Sequence, residues 1–482
     1  MEKKFLMMAA AAAMFAACSN ESDPVQQAQE VAKAAEQVAQ QVPIQFDTYV
    51  NRATTRAGLS DALVEIGDLQ ATNVGFGVFG YYTNADNYDQ TFTPNFMYNQ
   101  HVTYNASKWE YSPVKYWPNE FGANSASDDV DKVSFFAYAP FVTVNPSSGK
   151  VVTPAPATYP DDNADVTKGI VGMKSNTATG DPMIKYISTF YTDKQVDLLF
   201  GTYKTGITWT KKNSGTQDFT DGKPWLDVEH PSATNATLDF DFKHALAKLN
   251  VTVDTKVEGT DPADPATGTK VYIRSVTFEG FDVKGALNLN NNDAANGGTA
   301  VWFNFDGTNE LSDGGEVTIK DGRMDGKEGL SESTKEYAAI NPTLIQPAGA
   351  VSADNTNGVN ATVANLFSTS VPGAPASADP ILVIPNGEKL KVTIEYDVLT
   401  ADENLAGKLN DGQTRGSVVK NVITRYITTD TAGNVADGDV TMVNGKLYTI
   451  ALHLGLNTVD FNATVNPWDT GETGGADLPH NN

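Results

Sequence analysis

A chain of 482 residues is too long for one hydrophobic core and divides into two domains, or three, at roughly 100 to 200 residues each. Its 34 basic against 59 acidic residues give a formal charge of −25, which repels phosphate backbones and argues against nucleic acid as a partner. With Cys18 the only cysteine, an intramolecular disulfide, a cysteine-rich metal site and a thiol nucleophile in the folded body are excluded. The 18 Tyr, 22 Phe, 40 Gly and 23 Pro favour strands and turns over helices.

Lys3 and Lys4 precede an apolar run from Phe5 to Ala17, so residues 1–17 read as an export signal. At about 13 residues the run falls short of the ~20 that a spanning helix needs. Phe15-Ala16-Ala17-Cys18 resembles a bacterial lipobox, with Phe where Leu is usual. Cys18 is therefore expected to carry the lipid, palmitate included, and to become the mature N-terminus. Glu21 and Asp23 resemble the acidic tag that directs some lipoproteins to the outer face of the outer membrane. Residues 18–43 read as a tether, helical or flexible, with Val31, Ala35, Val38 and Val42 in a narrow helical stripe.

A first strand follows. Ile44, Phe46, Thr48 and Val50 share one face, and Gln45, Asp47 and Tyr49 point away. The next run, Asn51 to Gly58, is small and polar and carries Arg52 and Arg56, the composition of a protease-susceptible or simply solvated loop. Gly75 to Gly80 matches G-x-G-x-x-G, but Tyr81-Tyr82-Thr83-Asn84 follows instead of a helix, so a strand is expected and not a nucleotide loop. Trp109-Glu110-Tyr111, Lys115-Tyr116-Trp117-Pro118 and Val133 to Pro140 read as aromatic strands or strand ends that pack a core. Residues 143–183 and 348–379 read as long loops that could carry recognition.

Leu238, Phe240 and Phe242 alternate with Asp239, Asp241 and Lys243, and a second strand runs on to Val253. This stretch reads as the domain joint, with one domain over 44–237 and another over 238–482. His244 has no companion at a ligand spacing and reads as structural. Further strands are expected at Val271 to Phe281, Ile381 to Ile384 and Leu390 to Val398. Asp321 to Glu332 matches an EF-hand loop at its first, fifth, sixth and twelfth positions, but Arg323 stands where the third oxygen ligand belongs. Two alternating strands close the chain, Lys446 to Leu454 and then Val459, Phe461, Ala463 and Val465 on one face of the last. No nucleophile elbow, H-E-x-x-H pair, Walker loop or Cys/His cluster occurs, so the residues support no enzyme, cofactor or metal.

Taken together, the lipobox, Thr55-Arg56-Ala57 after a first strand, Lys115 to Pro118, Phe135 to Pro140, Asp239 to Leu249 and Val465-Asn466-Pro467-Trp468 resemble the fimbrillin family, type V pilus subunits of Gram-negative anaerobes. The resemblance implies an all-β protein of two β-sandwich domains of transthyretin-like type. It also implies a lipoprotein precursor at the outer membrane, cut by an arginine-specific surface protease at Arg56 or Arg52, and a cell-surface fimbrium built by donor-strand exchange with other subunits. Removing Ile44, Phe46 and Val50 would then uncover sites worth ~1.5 to 3 kcal/mol each. Val459, Phe461, Ala463 and Val465 are the candidate donor strand. Other roles stay open: a pilus tip adhesin binding host glycan or protein, a basal anchor, or a surface glycan-binding lipoprotein using Trp109, Trp117, Trp209 or Trp225 as stacking platforms.

Overall fold

The computed structural model describes residues 42–50, 66–118, 131–152, 169–188, 195–255 with short breaks, Val257, 269–308 apart from residue 296, 316–320, 323–326, Leu344, 358–367, 380–406 and 415–467 with short breaks. Among these residues the chain is almost entirely β, the one α-helix being the four-residue Ile66–Leu69. The signal sequence, Cys18, most of the tether and the arginine-containing run lie outside them.

The first sheet runs in the order Gln45–Val50, Thr237–His244, Leu199–Tyr203, Lys132–Ala139, Phe76–Asn84, Met97–Asn105, Lys108–Glu110, with Trp225–Glu229 also pairing Lys132–Ala139. Its central strands are buried on both faces, which is why Val133 to Ala139 is an unbroken apolar and aromatic run instead of an alternation. Phe135 and Ala137 enter one core with Phe76, Val78 and Phe240. Phe136 and Tyr138 enter another with Phe79, Tyr81 and Phe200. The glycine motif sits at the start of a strand, and Gly75 has a φ of +61° and a backbone so close to its neighbour that a Cβ would lie 2.0 Å from the Val102 carbonyl oxygen. Gly75→Ala is expected to destabilise the fold by about 2 kcal/mol or more, because left-handed strain adds to a backbone clash; a lowered denaturant midpoint checks this.

Strand Thr237–His244 belongs to this first sheet, in register with Leu199–Tyr203. The change of sheet therefore falls at Ala245-Leu246, inside the stretch read from sequence as the domain joint. Alternation alone identified the strand but could not say which neighbours it would pair. His244 ends it with Nδ1 2.8 Å from the buried Asp197 carboxylate, and its carbonyl accepts the Asn444 side-chain amide at 2.8 Å, so it ties the crossover to both halves.

Beyond the crossover, Ala247–Thr255 lies between Ile381–Pro385 and Lys446–Leu454 in a second sheet that continues through Val459–Pro467 and Thr428–Thr431 to Asn434–Asp439. A five-stranded sheet, Arg323–Gly326, Glu316–Lys320, Thr269–Glu279, Lys391–Ala401 and Gly416–Tyr426, shares a core with it. Arg323–Gly326 forms a hairpin with Glu316–Lys320, so the central part of the EF-hand-like passage is strand.

The expected long loop at 143–183 is also partly strand. Gly169–Met173 and Met183–Ile187 pair with each other and with Lys284–Asn288 in a four-stranded sheet completed by Val301–Phe303. Five-residue strands set among Pro, Gly, Ser and Thr give too short a period to read. This sheet supplies Ile184, Tyr186, Leu287 and Trp302 to the core behind the first sheet, joining residues from before and after the crossover.

Candidate functional site

The segment from Val42 to Val50 is held along both of its edges. On one side Gln45–Val50 pairs parallel with the joint strand, Gln45 opposite Thr237 through to Val50 opposite Phe242. On the other side Ile44 N–H donates to the Lys115 carbonyl and Trp117 N–H to the Val42 carbonyl, each at 2.9 Å, with Pro43 opposite Tyr116 in an antiparallel bridge. The Tyr111 hydroxyl donates to the Ile44 carbonyl at 2.9 Å and accepts from Lys115 N–H at 3.2 Å. Burial pushes the Tyr111 phenol up to about 12, so it stays a donor throughout the neutral range.

Side chains follow the alternation. Val42, Ile44 and Phe46 are buried, Thr48 is half-buried with its hydroxyl on the Phe240 carbonyl at 3.2 Å, and Asp47 is exposed. Phe46 lies between Tyr111, Phe135 and Phe240 at ring-centroid distances of 5.4, 5.9 and 6.0 Å. The three buried apolar side chains together represent about 5 to 9 kcal/mol of transfer free energy that is available only while the segment is seated or replaced by another strand.

One local feature opposes seating. Asp47 stands in register with Asp239, so two carboxylates share the outward face of the parallel pair. Burial chiefly raises the Asp239 carboxyl above its ordinary range; the Thr237 hydroxyl opposes this, the Asp47 charge adds to it and Lys204 opposes it. A carboxyl raised in the folded state contributes stability fully present below its unfolded pKa and lost as pH rises through its folded pKa. Mild acidification is therefore expected to tighten the first strand, and Asp47→Asn to tighten it at neutral pH by less than about 1 kcal/mol, read as slower hydrogen exchange at Gln45–Val50.

Of the residues expected to act here, Ile44 and Phe46 lie on the inward face, Val50 sits in the ladder through its backbone, and Cys18, Arg52 and Arg56 lie outside the described residues. Val42, assigned to the tether from sequence, is part of the seated segment. Lys115-Tyr116-Trp117 forms its second wall, a pairing that no local pattern announces. The candidate donor strand is in its own sheet: Val459–Pro467 pairs antiparallel with Lys446–Leu454 over its whole length, and on the other flank, among the described residues, Ala463 alone pairs, opposite Thr429. Ala463 is buried and Val465 packs against the same core. Trp117, Trp209 and Trp225, at most 3% exposed, are core residues, whereas Trp109 is partly buried and packs edge-on to Phe76 at 5.1 Å.

No family model matches the sequence. A curated relative, fimbrium subunit Fim1C of Phocaeicola vulgatus, is 28% identical over 213 residues, which are 43% of this chain and 44% of that one, so the chain spans less than half of the relative it matches. Among solved structures, a fimbrial protein from Bacteroides vulgatus aligns over 88% of this chain and 99% of its own at 19% identity and a TM-score of 0.44. The tip fimbrial protein Mfa3 of Porphyromonas gingivalis, with a C-terminal truncation, aligns over 89% of this chain and 100% of its own at 9% identity and a TM-score of 0.26.

Proposed function

We propose that this chain, which is similar to a fimbrium subunit over 213 residues, is a fimbrillin-family structural subunit of a cell-surface fimbrium that supports adhesion, with two domains of the transthyretin-like sandwich type. The precursor is anchored in the outer membrane through lipid on Cys18. An arginine-specific protease cuts at Arg56 or Arg52 and releases the first strand, and a strand of a neighbouring subunit, in this chain Val459 to Val465, fills the groove.

The observation that carries this reading is the way the first strand is attached. A parallel partner cannot be joined by a hairpin, and Val42–Val50 reaches the rest of the domain only through residues 51–65. Once that connection is cut after Val50, nothing covalent holds the strand in the domain. The groove it leaves has backbone partners on both sides and an apolar floor, which another strand can occupy and water cannot satisfy.

A tip subunit is the second reading, favoured by the long ladder that holds Val459–Pro467 in its own sheet: such a subunit accepts a strand without giving one. Intact mass after arginine-specific proteolysis of protein beginning at Ser19, followed by an unboiled gel, separates the two. A cut at Arg52 or Arg56 with a ladder of detergent-resistant multimers supports the stalk, and a cut without a ladder supports the tip. A folded protein that resists cutting at both sites would remove the mechanism and leave a lipid-held anchor or binding protein.

A further inference from the structure

The five-stranded sheet ends in an open strand. Gly416–Tyr426 pairs with Lys391–Ala401 without a bulge, Ala401 opposite Gly416 through to Lys391 opposite Tyr426, and among the described residues no strand pairs with its outer edge. It holds no proline. Val418, Val419, Val422 and Tyr426 are all exposed, Val422 most of all at 64%. Sheet edges of this length are normally shortened, bulged, interrupted by proline or covered, because their free N–H and C=O groups template further pairing.

The order of residues along this edge fits it to itself. Alternation puts Val418, Lys420, Val422, Thr424 and Tyr426 on one face and Val419, Asn421, Ile423 and Arg425 on the other. Ile423, the strand's one buried side chain, marks the second face as the core side. An antiparallel pair of these edges that keeps both cores on the same side has a two-fold axis perpendicular to the sheet, passing through one residue and its equivalent. Centred on Lys420 it would oppose two ammoniums, and centred on Asn421 it would set them diagonal. Centred on Val422 it separates every like charge. Val422 then meets its equivalent, Val418 meets Tyr426 of the partner copy, Lys420 meets Thr424, and Val419 meets Arg425. Tyr426 is already held for this role, with Lys391 Nζ 5.8 Å from its ring centroid and itself 2.7 Å from the Glu279 carboxylate. We propose that Gly416–Tyr426 is a self-association edge, through which two copies pair antiparallel about Val422 and join their five-stranded sheets into one. The contact is isologous, so it closes at a dimer. It uses neither the groove around Val42–Val50 nor its cleavage.

Sedimentation velocity on the uncleaved protein beginning at Ser19 tests this. Each copy contributes at most 11 residues, well short of the roughly 20 to 30 a side of a standard interface, so the pairing is weak. Wild type is expected to show a monomer–dimer equilibrium across the micromolar range, with no larger species, and to run as a monomer on an unboiled detergent gel, unlike a donor-strand ladder. Val422→Lys sets two ammoniums opposite each other and leaves only monomer. Val419→Glu faces Arg425 of the partner copy on both sides of the axis and tightens the dimer several-fold at low salt, a gain that Arg425→Gln abolishes. A monomeric wild type, growth beyond the dimer, a Val422→Lys variant that dimerises as wild type does, or a Val419→Glu variant without the gain overturns the proposal. Hydrogen exchange on wild type needs no variant to fold: N–H groups between Val418 and Tyr426 slow as the protein is concentrated, and a dimer in which they do not slow overturns the pairing.

Discussion

Phe46→Ala is expected to cost about 3 to 5 kcal/mol and to spend nearly all of it on one strand. The ring packs against Tyr111, Phe135 and Phe240, residues from three other parts of the first half. Because the seated strand is the first described element and stands at the end of its sheet's strand order, its loss leaves the ladders between the other strands of that sheet intact. The variant should therefore show raised hydrogen exchange at Ile44 to Val50 and along Thr237–His244 well before global unfolding, and faster cutting in the 51–58 connection. A uniform loss of protection across the first sheet would instead mean that the segment is an integral part of that core.

Asp181→Ala is expected to be comparably damaging, by about 3 to 6 kcal/mol, since it strips several charge-assisted hydrogen bonds at once and leaves their donors buried. The carboxylate accepts from the Tyr88 hydroxyl and Asn290 amide at 2.9 Å each, the Asn288 amide at 3.0 Å and the Gln90 amide at 2.5 Å. Those donors come from the loop after the glycine-motif strand and from the end of strand Lys284–Asn288 and the residues just after it, so one buried carboxylate fixes the two halves of the chain against each other. Burial, and then the Asp181 charge, pushes the Tyr88 phenol far above 10. A group so raised contributes stability that is complete below its unfolded pKa and lost as pH climbs beyond it. Thermal stability of the wild type should fall above about pH 10, and part of that fall should disappear in Tyr88→Phe.

The first strand was legible because it is half-buried: one face inward and one outward writes a period of two into Ile44 to Val50. The strands around Phe76 and Val133 were legible as strands but not in their packing, since burial on both faces erases the alternation that tells one face from the other. The wall formed by Lys115-Tyr116-Trp117 was visible only as aromatic residues, because a long-range backbone pairing leaves no local period. The same limit explains the joint. Leu238 to Phe242 declares a strand in its own residues, while its membership in the first sheet depends on Leu199–Tyr203 and on the N-terminal segment, far away in sequence. At Gly169–Met173 the signal failed for a different reason, five residues being too few to stand out from turn-rich surroundings.

The most direct test of a removable strand is hydrogen–deuterium exchange at the two walls of its groove, before and after arginine-specific cleavage and separation of the released fragment. Loss of protection along both Thr237 to Phe242 and Lys115 to Trp117, restored to both when a peptide spanning Val42 to Val50 is added back, is the expected result. Protection that survives cleavage, or that falls along only one wall, would contradict a strand held between two edges and released by a single cut.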